Sequence, residues 1–110
     1  MHGNVSFLEL GVPEADVSKT QAFFTRVFGW TFTPMPRGGW FQAPSIRVGL
    51  HGNDTPAQIY VFLEVPDLEA AMNQVREAGG EADPANNEQG FGRFSFCRDP
   101  QGIRFGLHQR

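Results

Sequence analysis

Four residues of this chain combine acid–base and metal-ligand chemistry with a repeated placement: Glu9, His51, Glu64 and His108. Phe7-Leu8-Glu9 recurs as Phe62-Leu63-Glu64, and Arg47-Val48-Gly49-Leu50-His51 recurs as Arg104-Phe105-Gly106-Leu107-His108, at offsets of 55 and 57 in 110 residues. A period of half the chain signals a duplicated supersecondary unit, because a solenoid needs at least three repeats. Two imidazoles and two carboxylates on one surface would suit a divalent metal: Zn, Fe(II), Ni or Mn. Such a metal would act as a Lewis acid on a bound oxygen substrate. Glu9 and His108 are the candidate catalytic pair. The plainer reading of the same two is a satisfied polar contact between them.

Strands must hold these residues, and their alternation can be read directly. Asn4–Val12 and Gln58–Val65 read as strands that open each half. Trp30–Thr33, Trp40–Ala43, Ile46–His51, Phe91–Arg98 and Ile103–Gln109 read as further strands, with a short one near Glu81-Ala82. Leu8, Leu10, Val48, Leu50, Val61, Leu63, Ile103, Phe105 and Leu107 form an apolar set for packing against helices. Glu9, His51, Glu64 and His108 fall on the opposite face. Helices are expected over Val17–Phe28, capped by Asp16 or Ser18 and stopped by Gly29, and over Leu68–Ala78, stopped by Gly79-Gly80. Pro34–Gly39 reads as a turn. Gly52-Asn53-Asp54-Thr55-Pro56 is the loop between halves. The order β-α-β-β-β therefore occurs twice in one α+β domain, with modules at about 4–52 and 57–109.

A chain of this size supports one core. With a net charge of −3 it carries no electrostatic footprint for nucleic acid or an anionic membrane surface. Cys97 is the single cysteine, so neither an internal disulfide nor a cysteine zinc site can form; it reads as a small buried residue. No apolar run approaches the roughly 20 residues that span a bilayer. The opening Met1-His2-Gly3-Asn4 lacks signal-peptide character, so a cytoplasmic setting is expected, with His2 in a disordered terminus.

Three stretches carry a resemblance that covers nearly the whole chain. They are Glu9-Leu10-Gly11-Val12-Pro13 leading into Ala22-Phe23-Phe24 and Val27-Phe28-Gly29-Trp30; Val65-Pro66-Asp67-Leu68-Glu69-Ala70-Ala71 running to Ala78-Gly79-Gly80; and Arg98-Asp99-Pro100-Gln101-Gly102-Ile103-Arg104-Phe105. Together they resemble the vicinal oxygen chelate superfamily, which includes glyoxalase I, bleomycin-resistance proteins, methylmalonyl-CoA epimerase and extradiol dioxygenases. The resemblance implies two βαβββ modules curled around a cavity with helices outside, often assembled as a homodimer. It also implies a divalent metal held by the first and last strand of each module. Here the sequence departs from the pattern: the first-strand ligand positions are Phe7 and Tyr60, and the last-strand carboxylate positions are Gly49 and Gly106. Glu9, His51 and His108 lie two residues further along on the same face, roughly 6.6 Å away by strand rise. A glycine inside a strand marks a bulge or the close approach of another group.

Substrate contacts are expected from the aromatic residues Phe7, Trp40, Tyr60 and Phe62 and from the guanidinium groups of Arg93 and Arg104. Arg47 shares the parity of His51 and is a further cation on that wall. Asn86 to Gly92 reads as a glycine-hinged lid. The leading functional expectation is an enzyme of glyoxalase or dioxygenase type with metal at Glu9, His51, Glu64 and His108. It would act on a small oxygenated molecule by isomerase, lyase or dioxygenase chemistry. The alternative is a metal-free protein that sequesters a small molecule, as the bleomycin-resistance members do.

Overall fold

The structure is a computed structural model that describes residues 3–110; His2 lies outside the described residues. The chain is an α+β fold of two successive modules, βαβββ and then βα followed by four strands because the third segment is broken in two, and its residues group into two compact units. One unit is Phe7–Tyr60; the other joins the residues up to Ser6 to Val61–Arg110.

In the first module β1 (Asn4–Gly11) leads to α1 (Ser18–Phe28) and then β2 (Thr31–Met35), β3 (Gly38–Gln42) and β4 (Arg47–His51). The strands lie in the order β2-β3-β4-β1, with β1 and β4 parallel and the others antiparallel. The β2–β3 hairpin is longer than the sequence suggests, because Pro34 pairs with Gly39 inside it. Proline is tolerated there because β2 is an edge strand, where no ladder donor is needed. Leu10, Phe41, Ala43, Val48 and Leu50 form the core, with Leu8, Val17, Phe24 and Trp30 packed against it. Phe41 is completely buried, its ring 4.9 Å from Phe32 and 5.9 Å from Phe24. Burying such a ring contributes about 1.5–3 kcal/mol.

The helix itself departs from expectation. Val17 is its N-cap without a side-chain bond, and Asp16 Oδ1 accepts from the Ser18 N–H at 2.9 Å just before it. Only one side of this three-turn helix meets the sheet, so Phe23 and Val27 remain 58% and 53% exposed. Phe28 is also largely exposed, although it stacks on Trp30 at 5.0 Å.

The second module runs β5 (Gln58–Glu64), α2 (Leu68–Glu77), β6 (Glu81–Ala82), β7 (Asn86–Glu88), β8 (Gly92–Arg98) and β9 (Arg104–Gln109). The strand order is β5-β9-β8-β6, with β5 and β9 parallel and β7 also on β8. Asp67 caps α2, its Oδ1 accepting from the Ala70 N–H at 3.1 Å. Val65, Leu68, Met72, Cys97 and Leu107 make the core. Since α2 packs on β6, β8 and β9, the outer face of β5 is left uncovered, and Val61 is half-exposed instead of packed on a helix. Ile103 falls before β9 and is exposed as well. The expected lid is partly a strand: β6 pairs only with Cys97 and Arg98, and Asn86–Glu88 pairs with Gly92–Phe94 further along β8.

The registers revise the repeat. Glu9 stands opposite Gly49 and Gly11 opposite His51, whereas Phe62 stands opposite Gly106 and Glu64 opposite His108. With β4 laid on β9, the counterpart of Glu9 is therefore Phe62, and that of Glu64 is Gly11. The Phe-Leu-Glu match is two residues out of structural phase. Because the slip is even, it preserves the face of each side chain and leaves the alternation pattern unchanged.

Candidate functional site

The end of β4 and the loop after it assemble a polar cluster within the unit Phe7–Tyr60. Asn53 takes a left-handed conformation with φ of 57°, which asparagine tolerates better than most residues. The Asn53 N–H donates to Glu14 O at 3.1 Å and the Asp54 N–H to Val12 O at 2.9 Å, while the Val12 N–H donates to His51 O at 3.0 Å. These bonds turn Asp54 back onto His51. Asp54 Oδ2 lies 2.8 Å from His51 Nε2 and accepts the Tyr60 hydroxyl at 2.9 Å; its Oδ1 accepts from Gln58 Nε2 at 3.1 Å. On the other side of the ring, His51 Nδ1 is 2.6 Å from Glu9 Oε2.

Both nitrogens of His51 thus face carboxylate oxygens, an arrangement that favours the doubly protonated imidazolium, which donates from both. The hydrogen bond to Glu9 is the largest cause raising its pKa above the ordinary value; burial opposes it and the bond to Asp54 reinforces it. For Asp54 burial acts upward, but the hydrogen bonds from His51 and Tyr60 outweigh it and hold the carboxyl below its usual range. The Tyr60 ring is buried beside the imidazole, with centroids 6.2 Å apart.

Gly49 explains where the carboxylate of Glu9 goes. A Cβ at residue 49 would lie 2.7 Å from Glu9 Cδ and 3.0 Å from Phe7 Cζ, so the Glu9 side chain fills the space a side chain there would take. The Glu9 carboxylate, delivered from β1, therefore lies where the Cβ of a residue at position 49 would be. In the second module the same space, over Gly106, is filled by the Phe62 ring, whose Cζ would lie 2.6 Å from such a Cβ. One row across the first module reads Thr33, Trp40, Gly49 and Glu9. Arg47, two residues before Gly49 on the same face, holds its guanidinium 4.0 Å from the Trp40 ring centroid.

The other expected site residues are engaged elsewhere. His108 is buried; its Nε2 lies 2.7 Å from Phe91 O and its Nδ1 3.3 Å from Ser6 Oγ. A carbonyl only accepts, so Nε2 carries the proton. Its ring stacks on Phe91 at 3.9 Å. Glu64 pairs with Arg110 at 3.1 Å, and Arg93 with Glu69 at 2.6 Å. Arg104 is exposed, opposite Arg98 in the β8–β9 ladder. Phe62 is 2% exposed and meets Phe91, Phe94 and Phe96 edge-on. So Glu9, His51 and Tyr60 come together with Asp54, whereas Glu64, Phe62 and His108 lie in the aromatic second unit. Among the described residues no group of three or more His, Cys, Asp or Glu side chains is placed to hold a metal ion. The nitrogens of His51 and His108 already face other partners, so this donor set as arranged does not fit a divalent cation. Asp54 escapes a reading of strands alone; the signal for it is an Asp three residues after a strand-end His across a Gly-Asn turn.

Residues 6–107 match the model of the Glyoxalase/Bleomycin resistance protein/Dioxygenase superfamily. "Putative glyoxylase CFP32" of Mycobacterium bovis and of Mycobacterium tuberculosis is 29% identical over 108 residues, 86% of this chain and 41% of the relative. The chain thus spans about two fifths of the length of these curated relatives. Methylmalonyl-CoA epimerase from Mycobacterium tuberculosis superimposes with a TM-score of 0.72 at 16% identity, over 97% of this chain and 87% of that one. Homoprotocatechuate 2,3-dioxygenase from Brevibacterium fuscum gives 0.76 at 16% identity, over 99% of this chain and 37% of that one. At such identities these structures establish the fold. Among the described residues no helix is long and apolar enough to cross a membrane.

Proposed function

Because the chain belongs to the Glyoxalase/Bleomycin resistance protein/Dioxygenase superfamily, we propose that it acts on a small oxygenated molecule by isomerase- or epimerase-type proton transfer at a carbon beside a carbonyl. The observation that carries this reading is the Glu9 carboxylate, set over Gly49 with Oε2 2.6 Å from His51 Nδ1. Glu9 is the general base. It takes the proton from the carbon; the C–H electron pair forms the C=C bond as the carbonyl pair moves to oxygen, giving an enolate, and Glu9 returns the proton to the neighbouring carbon or, once the enolate has turned over, to the other face of the same carbon. In the resting state the Glu9–His51–Asp54 trio carries a net charge of −1. Protonating Glu9 neutralises the trio as the enolate appears, so no charge accumulates in the site. Asp54, fixed by Tyr60 and Gln58, keeps the imidazolium in place throughout.

The test is exchange of substrate C–H for deuterium in D2O, followed by NMR on a panel of epimerisable 2-oxo acids, hydroxy ketones and thioesters. Replacing a general base typically costs a factor of about 10²–10⁴, and Glu9→Gln should lose exchange on that scale. Exchange equal in wild type and Glu9→Gln would sink the reading. A second reading, metal-free sequestration of a small molecule, is favoured by the hydrogen bonds that tie Glu9, His51, Asp54, Gln58 and Tyr60 to one another. It predicts stabilisation by a bound compound without exchange. The proposal includes a cytoplasmic homodimer, checked by light scattering of the purified chain.

A further inference from the structure

Arg47 is exposed, and no carboxylate pairs with it among the described residues, whereas Arg93, Arg98 and Arg110 each hold a glutamate. An unpaired surface arginine normally samples many rotamers, since its long side chain has many rotatable bonds. This one is held, its guanidinium 4.0 Å from the Trp40 ring centroid. The aromatic face restrains the cation, and a restrained planar fork keeps its N–H edges available for a bidentate acceptor.

Its place in the sheet gives that acceptor a location. Trp40 pairs with Gly49, Gly49 with Glu9, and Arg47 precedes Gly49 by two residues on the same face. Successive residues on one face of a strand are about 6.6 Å apart. The cation and the Glu9 carboxylate are therefore about one residue pair apart along the strand direction, on a surface where Gly49 contributes no side chain. A substrate anion would meet the carboxylates of Glu9 and Asp54 nearby, and the Arg47 guanidinium on that face supplies a countercharge.

Resting on the proton-transfer reading above, we infer that Arg47 and Trp40 form an anion subsite and that the substrate carries a carboxylate one short carbon segment from the carbon that Glu9 deprotonates. The substrate class is thus a small 2-oxo or otherwise carbonyl-bearing carboxylic acid, held at the carboxylate by Arg47. A neutral ketone or an aldehyde falls outside it.

The probes are 2-oxobutanoate and its neutral amide, titrated into the full chain at up to tens of millimolar. The readouts are the indole N–H resonance of Trp40 and the side-chain Nε–H resonance of Arg47, assigned with Trp40→Phe and Arg47→Lys. The acid should shift both signals and the amide neither. Arg47→Gln should weaken acid binding by about tenfold or more, the scale of one hydrogen bond to a charged group. Arg47→Lys, which keeps the charge but loses the fork, should recover only part of it. Equal binding of acid and amide, no shift with the acid, or unchanged affinity in Arg47→Gln would each overturn the subsite. Glu9→Gln separates the two proposals. Acid binding that survives in this variant supports the subsite whether or not exchange is lost, and exchange that persists in Arg47→Gln on neutral carbonyl compounds leaves the base standing without the subsite.

Discussion

Replacing Glu9 by Gln keeps the shape of the side chain and removes the carboxylate whose hydrogen bond most raises the pKa of His51. The bond it alters is 2.6 Å long, between groups whose side chains are 29% and 18% exposed. A hydrogen bond to a charged group contributes about 1.5–3 kcal/mol, and a neutral one about 1 kcal/mol. The glutamine carbonyl can still accept from Nδ1–H, and water screens part of the charge, so the net loss is about 1 kcal/mol. Its pH dependence is more telling than its size. The folded-state pKa of His51 is raised above the ordinary 6.5, so its contribution is fully present below that value and is lost as pH rises through the folded pKa. Urea unfolding followed by tryptophan fluorescence should therefore show Glu9→Gln less stable at about pH 5.5, with the gap closing in alkaline buffer as pH rises through the folded-state pKa of His51. At the higher pH the wild type sets two carboxylates against a neutral ring with one proton to donate, which narrows the gap further. The Cε1 proton of His51 should titrate at lower pH in the variant. A gap of the same size at both pH values, or an unchanged His51 titration, would refute the imidazolium assignment.

Gly49→Ala places a methyl group where the Glu9 carboxylate sits, and overpacking of this kind costs about 1–3 kcal/mol. Urea unfolding should show that loss, and NMR should show His51 titrating nearer its ordinary range because Glu9 has been displaced. Asp67→Ala removes the cap of α2 and should cost about 0.5–2 kcal/mol in the same unfolding experiment. It should leave the His51 titration and any substrate exchange unchanged, since α2 belongs to the other compact unit.

The fold was largely legible because its signals are local. Alternation marks the strands, and Gly29 and Gly79-Gly80 bound the helices. The β1–β4 and β5–β9 pairings join residues far apart in the chain, and nothing local fixes their register. That is why Glu9 and Glu64 look equivalent in the sequence and are not. The pairing of Glu9 with His51 was within reach, since both lie on one face of parallel neighbours. The contribution of Asp54 was not, because it depends on Asn53 taking a left-handed conformation that folds the loop back. The wide exposure of Phe23, Val27 and Phe28 was hidden for a related reason: helical spacing marks an apolar face but not how much of it a sheet covers.

The boundary between the compact units, which follows Tyr60 and not the sequence seam, bears on how such a chain could arise from half-length ancestors. A break after Pro56 would leave Asp54 on the leading fragment and its donors Gln58 and Tyr60 on the trailing one. The same break would strand Ser6 on the fragment that lacks His108. Neither piece would inherit a finished unit. Each half would need strand residues from the other to complete its hydrogen bonds.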